Sequence, residues 1–294
     1  MITQPSCFFT LLFIVALPFN KQAGKTAPAF AENNKEMVSE ALLASAREKI
    51  DSQPKRRLVW ADDFDSTGIP DQTKWSYETG YIRNSEQQYY TGSRPENARL
   101  ENGLLVIEAR NDSLKPGNNT FAVTSASITT EGKASWTYGR IEVKAKIPSS
   151  LGSWPAIWML GTDHKTVGWP ACGEIDIMEN VGFDPEKIHT NIHTKAYNHV
   201  LKTNKGKATP ISQPHHNFHV YAIEWSKTAI DFFIDEQKVF SYRNEATGED
   251  TWPFDKPFYL ILNLAIGGSW GAQKGVDLKQ LPQQFLVDYV RVYQ

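Results

Sequence analysis

A chain of 294 residues carrying 31 Lys and Arg against 33 Asp and Glu has a formal net charge of -2, which excludes the basic footprint of a general nucleic-acid binder. With 40% hydrophobic and 22% charged residues it can bury a core and is not a disordered chain. Two cysteines, Cys7 and Cys172, exclude a disulfide scaffold, while nine Trp call for either flat ligand platforms or a large β core.

Residues 7–19 read CFFTLLFIVALPF and carry no charge. That run is shorter than the ~20 residues of a membrane-spanning helix and sits where a secretory apolar region belongs. Residues 1–6 lack the usual Lys or Arg, and a small-residue site, Ala29-Phe30-Ala31, follows. Residues 1–31 are therefore read as an export signal, placing the protein outside the cell, in a periplasm or at the cell surface. A buried apolar helix and an uncleaved membrane anchor are the alternatives. Loss of the signal would remove Cys7 and leave Cys172 without a partner. Residues 32–57 read as a short helix, with Met37, Val38, Ala41, Leu42 and Ala44 at helical spacing, and a polar linker.

From residue 58 to 294 the texture is β, with no break that would divide a domain. Apolar and polar residues alternate in short runs at 103–109, 139–147, 218–225, 229–234, 257–266 and 285–293, punctuated by Gly, Pro and Asn. Ile141, Val143, Ala145 and Ile147 fall on one face and Glu142, Lys144 and Lys146 on the other. No helical segments separate these runs, so a parallel βαβ fold is disfavoured, and the expectation is an all-β sandwich or jelly roll of antiparallel strands.

The chemistry concentrates in residues 173–180, GEIDIMEN. On a strand, Glu174 and Asp176 share a face and Ile175 and Ile177 fill the core behind it. Glu179, five positions after Glu174, would point the wrong way in a regular strand. One inserted residue near Ile177-Met178, a β-bulge, returns it to the carboxylate face. On a helix the three acids would spread over ~200° and could not converge. With the bulge, the Glu174 and Glu179 backbones lie ~13 Å apart, and leaning side chains bring their carboxyls to ~5 Å. That is the spacing of a retaining glycosidase, whereas an inverting one leaves ~6.5–9.5 Å for a water. Glu174 and Glu179 are then nucleophile and acid/base, with Asp176 between them keeping one group protonated. No Lys or Arg lies between Val167 and Glu186 to neutralise them, as a structural ion-pair row would require. Three acids strung along a strand do not form a compact metal cage, so no cofactor is expected for catalysis.

This octapeptide, with SWPAIWMLG at 153–161 and GWPAC at 168–172, resembles glycoside hydrolase family 16 in its laminarinase-like branch. The resemblance extends over most of 58–294, through VWADDFD at 59–65, NSEQQYYT at 84–91, NARLENGLLVIEA at 97–109, YGRIEVKAKIP at 138–148, HTKAYNH at 193–199, LNLAIGGSWGA at 262–272 and VDYVRVYQ at 287–294. It implies a jelly roll with a concave carbohydrate cleft and endo-hydrolysis of β-glucans or galactans with retention. The E-x-D-x-x-E form is similar to that of laminarinases, agarases and carrageenases. It matches Glu174 to the nucleophile, Asp176 to the assisting acid and Glu179 to the acid/base. Trp169 matches a sugar-stacking Trp, His193 a His near the acid/base, Asn84 a cleft Asn and Arg140 a cleft Arg. It also implies a structural Ca²⁺ held by Asp288 with the carbonyls of Asp63 and Gly103.

From the residues themselves, Trp154 and Trp158 share a strand face and serve either sugar stacking or core packing, whereas Trp169 and Trp270 sit in loops that favour the cleft. The pair His215-His216 and His219 lack the Cys or acids of a zinc site. The expected partner is a polysaccharide, taken as β-1,3-glucan or mixed-linkage β-1,3-1,4-glucan, acted on by a monomer with no nucleic-acid or protein partner. An algal galactan and a non-catalytic glucan-binding role are the competing readings.

Overall fold

The computed structural model describes residues 56–114 and 121–294. The expected export signal, and residues 32–55 of the helix and linker expected at 32–57, lie outside these residues. Seventeen strands follow one another in the described residues. The first seven are β1 (Leu58–Asp62), β2 (Ser76–Glu78), β3 (Tyr89–Tyr90), β4 (Ala98–Glu101), β5 (Leu104–Leu114), β6 (Phe121–Ser125) and β7 (Ser127–Thr129). Then come β8 (Gly139–Lys146), β9 (Ser153–Gly161), β10 (Glu174–Glu179), β11 (Lys187–His193) and β12 (Lys205–Pro210). The last five are β13 (His219–Trp225), β14 (Ala229–Ile234), β15 (Gln237–Arg243), β16 (Phe258–Ile266) and β17 (Gln283–Tyr293). Each of the six runs expected from alternation is a strand, and β5 and β17 are longer than their patterns because polar residues continue the pairing.

The strands form two sheets. A seven-stranded inner sheet runs β12-β11-β10-β9-β16-β7-β2, and a ten-stranded outer sheet runs β15-β14-β13-β8-β17-β5-β6-β3, with β1 on β17 and β4 on β5. Every pairing is antiparallel except β3 with β6. Alternation sets the layers. On β16 the even positions, Phe258, Leu260, Leu262, Leu264 and Ile266, belong to the core between the sheets, and on β9 Ile157 and Met159 do the same. From the outer sheet Ile141, Val143, Tyr221, Ile223, Phe285, Val290 and Val292 meet them. Each such side chain contributes about 1.5–3 kcal/mol by leaving water. The opposite face of the inner sheet carries Trp154, Ala156 and Trp158 on β9 and Tyr259, Ile261 and Ala265 on β16, gathered into two separate small clusters. The inner sheet is thus apolar on both faces, and the face turned away from the core is the one that carries the acids.

Candidate active site

Strand β10 sits between β9 and β11, and its register shows how Glu179 changes face. Asp176 lies opposite Trp158 on β9 and Asn191 on β11, while Glu179 lies opposite Ala156 and His189. Three steps along β10 therefore match two along each neighbour, and the pairing shifts between these points. The extra residue is absorbed at Ile177-Met178, and both of those side chains, with Ile175, are buried in the core. Glu174, Asp176 and Glu179 are left together on the concave face, as the spacing required. Gly173, just before the strand, has φ +76° and is wedged where a Cβ would stand 2.8 Å from Pro253 and 2.9 Å from the Phe258 ring. Any side chain there would push Glu174 off its strand.

The carboxyls are desolvated and crowd one another. Burial, with the Asp176 charge second, pushes Glu174 up to about 8. Burial, with Glu174 second, pushes Glu179 up to about 7, and burial with the charge of Glu179 holds Asp176 well above the ordinary range. Asp176 is 2% exposed and hydrogen-bonded to Glu174, so the set takes up protons near neutrality and titrates as a unit. Each Glu also receives one indole N–H, from Trp169 Nε1 to Glu174 Oε2 at 2.8 Å and from Trp154 Nε1 to Glu179 Oε1 at 3.0 Å. Among the described residues no Lys or Arg forms an ion pair with the three acids, and the neighbour able to carry positive charge is the His193 imidazole, 3.3 Å from Asp176 and 3.7 Å from Glu174. Glu174, Asp176 and His193 offer donor atoms within 4.8 Å of one another. The hydrogen bond joining the two carboxyls makes this a proton site, and no metal is assigned to it.

The acids open into a cavity of about 1010 Å³ that Trp154, Trp158, Trp169, Trp270, Asn84 and His193 also line. Trp169 is 39% exposed, the half-open state of a platform awaiting an apolar ring face. Trp270 stands edge-on to Trp154 at 5.5 Å and to His189 at 4.8 Å, on the wall beside Glu179. Trp158 is less available for stacking: the Arg83 guanidinium lies 4.9 Å from its ring centre, and its Nε1 donates to Asn263 Oδ1 at 2.7 Å. Asn84, at φ +57°, donates to Glu86. Glu86 also receives Gln88 and Tyr90, so an ordered polar wall continues the cleft.

One sequence expectation needs correction. Arg140 is not in the cleft. It lies on β8 of the outer sheet, where it pairs with Glu142, Glu224 and Glu236. Alternation along β8 could not tell which sheet the strand joins, and the cleft arginine is Arg83, in a loop whose sequence carries no periodic signal. His193 lies opposite Glu174 in the register and contacts Glu174 and Asp176, whereas the histidine opposite Glu179 is His189. Counting β11 against a bulged β10 would have found it. The calcium residues do gather along β17, since Asp62 lies opposite Val290, Leu105 opposite Val287, and the pairing with β8 shifts at Asp288. Lys144 Nζ pairs with the Asp288 carboxylate at 2.6 Å. Among the described residues His215, His216 and His219 form no metal cluster, and His219 is paired to Asp235 at 2.6 Å. Cys172 is a buried free thiol.

Comparison with known proteins returns one family. Residues 85–291 match the model described as glycosyl hydrolases family 16. A beta-glucanase from Rhodothermus marinus is 48% identical over 267 residues, covering 87% of this chain and 91% of that protein. The structure of a laminarinase from Rhodothermus marinus superposes with a TM-score of 0.79 at 48% identity, covering 82% of this chain and 98% of that one. SCLam, a non-specific endo-beta-1,3(4)-glucanase, superposes with a TM-score of 0.78 at 48% identity, covering 82% of this chain and 92% of that one.

Proposed function

The chain belongs to glycosyl hydrolase family 16 and is a glycoside hydrolase, and on that premise we propose that it cleaves β-1,3-glucan within the chain, or mixed-linkage β-1,3-1,4-glucan, by a retaining double displacement. The observation that carries the proposal is the bulge that returns Glu179 to the face of Glu174, where among the described residues no Lys or Arg pairs with the acids. The names of the relatives support the substrate: a beta-glucanase, a laminarinase and an endo-beta-1,3(4)-glucanase.

In the first step an oxygen of the Glu174 carboxylate attacks the anomeric carbon. Glu179 gives its proton to the departing glycosidic oxygen, and a glycosyl ester on Glu174 results. In the second step the Glu179 carboxylate takes a proton from water as the water attacks the same carbon. Glu174 leaves as carboxylate and Glu179 regains its proton, so both groups are restored. The two indole donors have matched positions but different tasks. Trp169 supports the negative charge that Glu174 must carry, whereas Trp154 orients Glu179. Asp176, raised by burial and by the Glu179 charge, keeps the proton that three adjacent buried carboxylates cannot all lose. Trp169 and Trp270 supply apolar faces for the pyranose rings on either side of the acids.

Incubation of the protein with laminarin, barley β-glucan and agarose tests the assignment. Oligosaccharides from laminarin are expected. Products from agarose alone would move the substrate to a galactan.

A further inference from the structure

His193 presents one ring nitrogen to three neighbours. Its Nε2 lies 3.3 Å from Asn191 Nδ2, 3.3 Å from Asp176 Oδ2 and 3.7 Å from Glu174 Oε1. Its Nδ1 is buried and makes no hydrogen bond, so the tautomer of the ring is decided on the Nε2 side alone. The remaining groups around the imidazole are the Trp169 ring, with centroids 5.9 Å apart, and the His199 ring, edge-on at 5.1 Å. Asn191 is held from behind: its Oδ1 accepts a hydrogen bond from Asn204 Nδ2 at 3.1 Å, which leaves its NH₂ group facing His193. Gly206 on β12 makes room for this arrangement, since a Cβ there would stand 2.5 Å from Asn191 Oδ1 and 2.3 Å from the Thr190 carbonyl oxygen. An amide N–H only donates, so the nitrogen it meets must accept.

We propose that Asn191, braced by Asn204, is a positioning residue that fixes His193 as the neutral Nδ1–H tautomer, so that an acceptor faces the carboxyls and the proton at this corner stays on Asp176. The role assigned to Asp176 rests on the hydrolase reading, whereas the tautomer does not. Two acceptors 3.3 Å apart repel unless one carries a hydrogen. Asp176 Oδ2, buried and without another partner, supplies it by donating to Nε2, so the hydrogen in the Asp176–Glu174 bond is the one Glu174 gives to Asp176 before it ionises. An Nε2–H imidazole would instead donate to Asp176 and draw it into the carboxylate form beside Glu174, adding an anion where the reaction needs a proton.

The test is ¹⁵N NMR of the histidine side chains in the full protein without substrate, on the parent and on Asn204→Asp, with kinetics on laminarin in parallel. Asn204 is exposed and touches none of the three acids, so its replacement leaves the core intact. A carboxylate at 204 accepts from the Asn191 amide, turns Asn191 Oδ1 toward His193 and forces a proton onto Nε2. The expected result is an unprotonated Nε2 in the parent, a protonated one in Asn204→Asp, and kcat lower by about tenfold with KM within about twofold. A protonated Nε2 in the parent, or the same tautomer in both proteins, would overturn the proposal. Because the tautomer is read without substrate, failure of the glucanase assignment would show only in the kinetics.

Discussion

The two sheets treat the same residue types in opposite ways. On the outer sheet each acid meets a base. Glu224 is held by Arg56 at 2.7 Å and by Arg140 at 3.4 Å, and the Arg56 hydrogen bond draws its carboxyl below the ordinary value. Asp231 is partly buried, which pushes it up, yet Lys238 at 2.6 Å brings it below the ordinary value as well. On the inner sheet Glu174, Asp176 and Glu179 meet two indoles and an imidazole, and all three are pushed up. A fold stabilises its surface acids by pairing them. An arrangement that gathers three acids and leaves them unpaired is costly, and that cost marks the acids as kept for chemistry.

The largest expected break in this contrast comes from Glu174→Gln. It removes the group that forms the covalent bond while leaving the cleft's shape and its Trp faces, so kcat on laminarin should fall by roughly 10⁴-fold with oligosaccharide binding retained. Initial rates and calorimetric titration with laminari-oligosaccharides check both halves, and a rate within tenfold of the parent would remove Glu174 from the nucleophile's place. Glu179→Ala should cost about 10²–10⁴-fold on laminarin but far less on an aryl glucoside, whose leaving group needs no proton. Equal losses on the two substrates would show that Glu179 is not the acid.

Stability then separates the two sheets by sign. The folded protein holds a proton on Glu179 up to pH about 7, whereas the unfolded chain releases it near the ordinary 4.5. Stability therefore falls as pH rises through that window. Glu179→Gln should make the protein more stable than the parent at pH 8, with little difference at pH 4. Glu224→Gln should do the reverse. Its folded carboxyl lies below the ordinary value, so its contribution is present at neutral pH and lost in acid, and the variant should be less stable at pH 7 by up to about 1 kcal/mol. Denaturant melts at the two pH values decide the matter.

Much of this was legible in the sequence because it depends on parity. Five steps between two glutamates that must share a face require one extra residue, and two apolar side chains in a row, Ile177 and Met178, show where it goes. The alternation of β9 likewise placed Trp154 and Trp158 together. What parity cannot supply is the identity of the sheet. Arg140 sits on a strand whose pattern is sound, yet that strand belongs to the outer sheet, so a residue expected in the cleft turned out to neutralise Glu224 instead. Arg83 and Glu86 come from a loop with no period, and His189 required the bulge to be counted across to the next strand. The hydrogen bond from Trp154 to Glu179 was also hidden, because a pattern gives a residue's face and not the atom it touches.

The smallest effect concerns that bond. The indole N–H stabilises ionised Glu179, so Trp154→Phe should make the carboxyl harder to ionise and carry the alkaline limb of kcat/KM up by about half a pH unit. A limb that stays in place would mean that Trp154 acts through shape alone.

The most direct measurement is mass-spectrometric mapping of the protein inactivated by a 2-fluoro-laminaribioside bearing a reactive leaving group. A glycosyl ester on the peptide containing residues 173–180, located on Glu174 and absent from Glu174→Gln, is the result expected for a nucleophile brought onto one face with its acid. A label on Glu179, or turnover of the reagent with inversion and no covalent adduct, would contradict the paired roles that the bulged strand assigns.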